Sequence, residues 1–302
     1  MARAILIANP NAARTEAQTV RGIERVLRGA GWSLEVLATG GSGDARRLAA
    51  YGVEQGVDVV AVLGGDGTTM QAAGALVGTG VALGLLPGGT GNLLAGNLRI
   101  PFNPLRAAEA LVAGRAAPLD LGHIMRGGED QYFAVAAGAG ADARVMTETA
   151  SAQKHRWGMM AYIATMIRIL PEIRNVPFHV TVDGEPLQVD AAMLLVANCG
   201  EVIPPIIKLG QGISPTDGLL DVIALGADTI GQSMRAIWDL LTERGGTYGK
   251  DVFVAHARGT EVRVEVAEGA EQVVQLDGDP GGETPFTATV LPGAISVMMP
   301  PS

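Results

Sequence analysis

The chain has 302 residues, enough for two ordinary domains or one large one. With 48% hydrophobic and 18% charged residues it is not a disordered chain. With a net charge of −9 and no basic run it is not built to track nucleic acid. One cysteine, Cys199, permits no intramolecular disulfide and no cysteine metal site, and reads as a small buried hydrophobe.

Residues 1 to about 125 alternate strand and helix patterns at the spacing of a parallel α/β sheet. Ala4 to Ala8 reads as the first strand; it is too short for the core of a signal peptide and is closed by Asn9-Pro10-Asn11. Thr15 with Gln18 reads as a capping box for a helix with Val20, Ile23, Val26 and Leu27 on one face. Leu34 to Leu37 is the second strand, and a helix through Ala45, Leu48, Ala49 and Val53 follows. Val57 to Leu63 and Val81 to Leu86 are the third and fourth strands. No apolar stretch reaches the ~20 residues of a membrane span, so the expected location is the cytoplasm.

The later chain reads as strands joined by turns such as Asp183-Gly184 and Arg258-Gly259: Phe178–Val182, Leu187–Ala197, Leu219–Leu225, Val252–Ala257, Val262–Val266, Val273–Leu276 and Thr287–Leu291. Such a series suggests a β-sandwich-like domain. Two helical patterns interrupt it, one from Gln153 to Arg174 and one carrying Ile230, Met234, Ile237, Trp238 and Leu241. The break at Arg126-Gly127-Gly128-Glu129-Asp130 marks the boundary, giving an α/β domain over 1–125 and a β-sandwich-like domain over 126–291.

Three strands end in unusual loops: Asn9-Pro10-Asn11-Ala12, Gly64-Gly65-Asp66-Gly67-Thr68 and Pro87-Gly88-Gly89-Thr90-Gly91-Asn92. Ligands of open α/β sheets sit beyond the carboxyl ends of strands, where these loops can converge. Glycines let the backbone approach a ligand, and the helix N-terminus that follows offers free N–H groups to phosphate. A carboxylate at Asp66 beside phosphate needs a cation between, which points to a phosphorylated ligand with Mg²⁺. Asn9-Pro10 and Thr39 with Gly43-Asp44-Ala45 read equally as local caps and turns or as nucleotide contacts, and Thr90 or Asn92 can cap the helix that follows. Asp277-Gly278-Asp279 brings two carboxylates to a tight turn, and on the residues alone it reads first as a hairpin. Asp217-Gly218-Leu219-Leu220-Asp221 is a turn into a strand or a place for a hard cation. Gly138 to Ala143 closes a strand with small residues and one carboxylate, Asp142.

Taken in order, these segments resemble the diacylglycerol kinase catalytic family, which includes bacterial lipid kinases and sphingosine and ceramide kinases. Gly-Gly-Asp-Gly-Thr alone also occurs in NAD kinases; the ordered set spans nearly the whole chain. The resemblance implies an α/β plus β fold, with ATP in a cleft between an N-terminal α/β domain and a C-terminal β-sandwich-like one, and a return of about Pro292 to Met299 to the first domain. It implies that Asp277 is the general base for a lipid hydroxyl, with Asp279 beside it, and that Asn9, Pro10, Thr39, Gly64, Gly65, Gly67, Thr68, Gly89, Thr90 and Asn92 line ATP. Asp66 and Asp120 would form a Mg²⁺ network, and Asp217 with the Leu219 carbonyl a structural Mg²⁺ site. Three positions depart from the pattern: Leu93 stands where many members carry Asp, Asp279 replaces Glu, and Ser214 stands where a basic residue is common. The expected partner is a lipid substrate at the inner membrane face, and a homodimer is open. The basic-aromatic start Lys154-His155-Arg156-Trp157, with the apolar stripe after it, reads as a core helix or a membrane-docking one. The alternatives to a lipid kinase are an NAD kinase-like enzyme with a soluble acceptor and a nucleotide- or lipid-binding protein without turnover.

Overall fold

The computed structural model describes residues 1–140, 175–203, 207–209, 212–226, 253–267 and 270–301. The chain divides into two compact units, Met1–Asp120 with Pro292–Ser302, and Leu121–Leu291.

The first unit begins with β1 (Arg3–Ala8), α1 (Ala17–Gly29), β2 (Ser33–Ala38), α2 (Asp44–Glu54), β3 (Val59–Gly64), α3 (Asp66–Leu76) and β4 (Ala82–Pro87). Two further helices, α4 (Leu93–Asn97) and α5 (Pro104–Ala113), lead into β5 (Arg115–Arg126), which ends in the second unit. The strands are parallel in the order β2-β1-β3-β4. All six residues of β3 are buried, as are those of β4, which is why both read as unbroken apolar runs rather than alternating ones. Helix α1 buries Ile23 and Leu27, and α2 buries Ala45, Leu48, Ala49 and Gly52.

The capping box does not form. Glu16 is the N-cap of α1, without a side-chain bond to the helix. Thr15 lies against the loop after β4, where a Cβ on Gly88 would come within 3.1 Å of its hydroxyl oxygen, so tertiary packing overrides the local motif. Among the described residues that buried hydroxyl has no hydrogen-bond partner.

The second unit contains β6 (Glu129–Phe133), β7 (Ala136–Gly140), β8 (Val176–Val182), β9 (Glu185–Ala191), β10 (Met193–Ala197), the short β11 (Glu201–Ile203) and β12 (Ile207–Lys208), β13 (Leu220–Leu225) and β14 (Phe253–Gly259). It continues with β15 (Glu261–Val266), β16 (Val273–Leu276), β17 (Asp279–Glu283) and the start of β18 (Phe286–Met299). One antiparallel sheet runs β14-β13-β10-β7-β16-β17; in the other, β18 is followed by β15, β8 and β9. Side chains of both sheets, among them Ala137, Leu194, Val222, Phe178, Val264 and Ala288, share one buried core. The run Leu187–Ala197 is two strands, because the chain changes sheets between Ala191 and Met193. Beyond Leu291, β18 enters the first unit, where Ser296 and Val297 pair with Ala82 and Leu83 of β4. Both helical patterns read in the later sequence lie outside the described residues, as do Ala141–Ala143 and the segment from Lys154.

Phe178 is fully buried in the core of the second unit. Phe178→Ala is expected to lower the stability measured by urea denaturation by about 3–5 kcal/mol, the cost of a large cavity.

Candidate functional site

The first unit brings the three strand-ending loops together at the carboxyl ends of β1, β3 and β4. The backbone N–H of Asn9 donates to the Leu63 carbonyl at 2.9 Å, those of Gly88 and Gly89 donate to the Gly64 carbonyl, and that of Arg14 to the Gly88 carbonyl. Asn9 Nδ2 donates to the Thr68 hydroxyl at 2.8 Å, while its Oδ1 accepts from the Asn11 N–H.

Asp66 is the clasp of this assembly. Its Oδ2 accepts from the Asn92 N–H at 2.7 Å, and its Oδ1 from the Leu93 N–H at 2.6 Å. A carboxylate beside the N-terminus of α4 satisfies donors that a helix leaves without intrahelical acceptors, and it does so next to the positive end of the dipole. Two glycines are required for this closeness. A Cβ on Gly89 would stand 2.5 Å from Gly65 Cα, and one on Gly91 would stand 2.8 Å from Asp66 Oδ2. Asn92 adopts a left-handed backbone, φ 53°, that its amide supports by bonding both polar atoms of the Gly89 backbone. Its side chain is buried and turned to the loop itself, while Pro10 and Thr90 are exposed at the loop tips.

Of the remaining first-unit candidates, Thr39 and Asp44 follow β2, whereas Asp120 lies near the amino end of β4, away from these loops. Thr39 is buried at the end of β2, with its N–H on the Ala8 carbonyl. Gly43 is the left-handed N-cap of α2, and Asp44 returns its carboxylate to the Gly40 N–H at 2.7 Å. That bond, followed by Arg47, holds the Asp44 carboxyl below its usual range. Asp120 is buried, and its Oδ1 accepts from the Gly293 N–H at 2.7 Å, tying the point where the chain leaves the unit to the point where it returns.

In the second unit, Asp277-Gly278 is a hairpin turn between β16 and β17 with two left-handed residues, φ 51° and 89°. Asp183-Gly184 between β8 and β9 has almost the same geometry, φ 48° and 89°. The carboxylates meet different fates. Asp183 sits at the surface and accepts from the N–H groups of Glu261 and Thr260 and from the Thr260 hydroxyl, which holds its carboxyl low. Asp277 is buried. Its Oδ2 accepts from the Ala134 N–H at 2.7 Å, and its Oδ1 from those of Val135 and Ala136 at 2.8 and 2.9 Å. Burial raises its pKa to about 6 although the three amides oppose the rise, and the nearby Asp279 charge adds to it.

Cys199 lies in the same neighbourhood, buried, with its thiol on the Ala134 carbonyl. Burial, and then the Asp277 and Glu201 charges, push that thiol far up, so it is an inert packing group. Asn198 Nδ2 also donates to the Ala134 carbonyl, and Gln275 Oε1 accepts from the Gly278 N–H at the turn. The amide cradle of Ala134–Ala136 was not legible as a site, since backbone N–H groups leave no mark on side-chain identity.

Asp217 Oδ1 accepts from the Leu219 N–H, and its Oδ2 receives the Arg258 guanidinium at 2.6 Å. Ser214 shares a hydrogen bond with Thr216 nearby in sequence. Among the described residues no three His, Cys, Asp or Glu side chains group closely enough to hold a metal ion, and no helix is long and apolar enough to cross a membrane.

Residues 3–124 match the Diacylglycerol kinase catalytic domain, and residues 135–299 match the YegS C-terminal NAD kinase beta sandwich-like domain. The chain therefore belongs to the diacylglycerol kinase catalytic family of lipid kinases. It is 31% identical over 284 residues to a diacylglycerol kinase of Mycobacterium tuberculosis, covering 91% of this chain and 87% of that one. It is 29% identical over 308 residues to a diacylglycerol kinase of Bacillus subtilis, covering 99% and 97%. A longer uncharacterized Synechocystis protein is 29% identical over 250 residues, and the match spans 82% of this chain and 56% of that protein. A crystal structure of a diacylglycerol kinase from Bacillus anthracis shares the fold, with a TM-score of 0.80 over 99% of this chain and 97% of that one, at 24% identity.

Asp66→Asn turns an amide N–H₂ toward a backbone N–H. The expected loss is about 1–3 kcal/mol in urea denaturation, the cost of leaving a donor without its acceptor; unchanged stability would count against the clasp.

Proposed function

We propose that this chain is an ATP- and Mg²⁺-dependent lipid kinase that phosphorylates the hydroxyl of diacylglycerol or a related lipid alcohol. The observation that carries this reading is the Asp277 carboxylate, desolvated yet anchored by three amides, with a pKa raised to about 6. A general base works best with a pKa near the operating pH. A carboxylate of ordinary pKa is ionised but weakly basic, whereas this one is ionised at neutral pH and more basic by about two units.

Oδ1 of Asp277 accepts two N–H groups and Oδ2 one, so Oδ2 keeps the lone pair that would take the proton. In the reaction, the hydroxyl proton passes to Oδ2 as the hydroxyl oxygen forms a bond to the γ-phosphorus. The bond from that phosphorus to the β–γ bridging oxygen breaks, and ADP leaves with the electron pair. Asp279 sits at the foot of the same turn and helps to keep Asp277 basic through its charge.

The first unit would hold the donor. Asn9, Pro10, Thr39, Gly64, Gly65, Gly67, Thr68, Gly89 and Thr90 would line ATP, with the first N–H groups of α3 facing phosphate. Asn92 would act by shaping the loop. Asp66 offers a partly buried carboxylate that already holds the Asn92 and Leu93 N–H groups, and carboxylate oxygens are the ligand type that suits a hydrated Mg²⁺. Asp66 would hold Mg²⁺, which when bound neutralises charge on the phosphates; Asp120 is not placed to share that ion, because its partner Gly293 lies before the amino end of β4 whereas Asp66 lies beyond its carboxyl end. An apolar acceptor would bring the chain to the inner membrane face as a peripheral protein.

Transfer of labelled γ-phosphate from Mg-ATP into a total lipid extract tests this. One labelled lipid class is expected, lost by at least a hundredfold in Asp277→Asn, a deficit of the size general-base catalysis supplies. In the wild type, kcat/KM should rise with pH through about 6 and level above it, because only the unprotonated carboxylate accepts a proton. Full lipid labelling by Asp277→Asn, or label appearing only in a soluble acceptor such as NAD, would overturn the reading.

A further inference from the structure

The family resemblance assigns a structural Mg²⁺ to Asp217 and the Leu219 carbonyl, and the residues present do not fit it. Arg258 Nη2 lies 2.6 Å from Asp217 Oδ2 and also donates to the Gly212 carbonyl at 3.1 Å. The same guanidinium reaches Asp221 through Nε at 3.0 Å and Nη2 at 3.3 Å. Mg²⁺ sits about 2.0–2.1 Å from its oxygen ligands. A cation that close to Asp217 Oδ2 would meet the guanidinium, a positive group already in hydrogen-bond contact with the same atom.

The arrangement follows from strand register. Asp221 on β13 is directly opposite Arg258 on β14, so the ion pair is built into the ladder. Asp221 is almost wholly buried, its side chain 2% exposed, and a buried carboxylate requires a fixed positive or hydrogen-bonding partner. Arg258 is that partner, helped by His256 Nε2 at 2.8 Å from Asp221 Oδ1. The planar fork of an arginine bridges two carboxylates and a carbonyl at once, and its charge does not depend on supply from solution.

We infer that Arg258 is the resident cation of the Asp217–Asp221 turn, and that this chain holds the turn with a guanidinium in place of Mg²⁺. The inference concerns a site within the second unit and stands whether or not the chain phosphorylates a lipid. It also makes the two carboxylates a latent metal site, exposed only when the guanidinium is removed.

The test uses the full chain without nucleotide, comparing Tm in EDTA with Tm in millimolar Mg²⁺. The wild type and Asp217→Asn are expected to show the same response to Mg²⁺, since any ion that binds elsewhere affects both. Arg258→Met should lose several degrees of Tm in EDTA and recover part of that loss in Mg²⁺, and the recovery should vanish in the double variant Arg258→Met, Asp217→Asn. A Mg²⁺-dependent rise in the wild type that Asp217→Asn abolishes would overturn the inference. So would an Arg258→Met chain with wild-type Tm in EDTA. Should Arg258→Met fail to fold, the wild type against Asp217→Asn decides by itself.

Discussion

The first unit depends on one contact, the pair of bonds from the Asp66 carboxylate to the N–H groups of Asn92 and Leu93. Asp66 opens α3, and those amides open α4, so a single side chain joins the starts of two helices and thereby the loops after β3 and β4. Glycine is necessary around it because the two backbones approach to where a Cβ at position 89 would collide with Gly65. The loop after β1 then closes on both through Asn9, Thr68, Arg14 and Gly88. The glycine-rich sequence is thus first an answer to packing, and the first N–H groups of α3, which a helix leaves without intrahelical acceptors, are what a phosphate would use.

Capture of backbone N–H groups by aspartate recurs across the molecule. Asp44, Asp66, Asp120, Asp183 and Asp277 each fix a turn or a chain crossing this way. What differs is solvent. Asp183 is at the surface and its bonds simply lower its pKa; Asp277 has three amides and is nevertheless raised, because removal from water outweighs them. Two Asp-Gly turns of one backbone type therefore differ in chemistry chiefly through burial, with the Asp279 charge adding to it. The cost of keeping an anion buried is what makes Asp277 a stronger base than an exposed carboxylate, and the cradle is what keeps it in place.

Much of this was legible in the sequence, and the parts that were not share a cause. Loops after buried strands are written locally, in the glycines and in the apolar runs that precede them, so the convergence of Asn9, Gly64–Thr68 and Pro87–Asn92 could be anticipated. The cap of α1 could not, since Thr15 answers to the loop at Gly88 rather than to its own helix. The change of sheet near Ala192 falls inside one continuous strand-like run. The burial of Asp277 depends on amides more than a hundred residues away, and the pairing of Arg258 with Asp221 on the register of two strands. Each is a property of tertiary pairing that no local pattern records.

The most direct measurement of the central claim is the titration of Asp277 itself, by carboxyl ¹³C NMR on protein labelled at aspartate, with Asp277→Asn to identify the resonance. An inflection near pH 6 is expected for this group. An inflection at or below ~4, the range of an unperturbed aspartate, would contradict a desolvated carboxylate poised as a base.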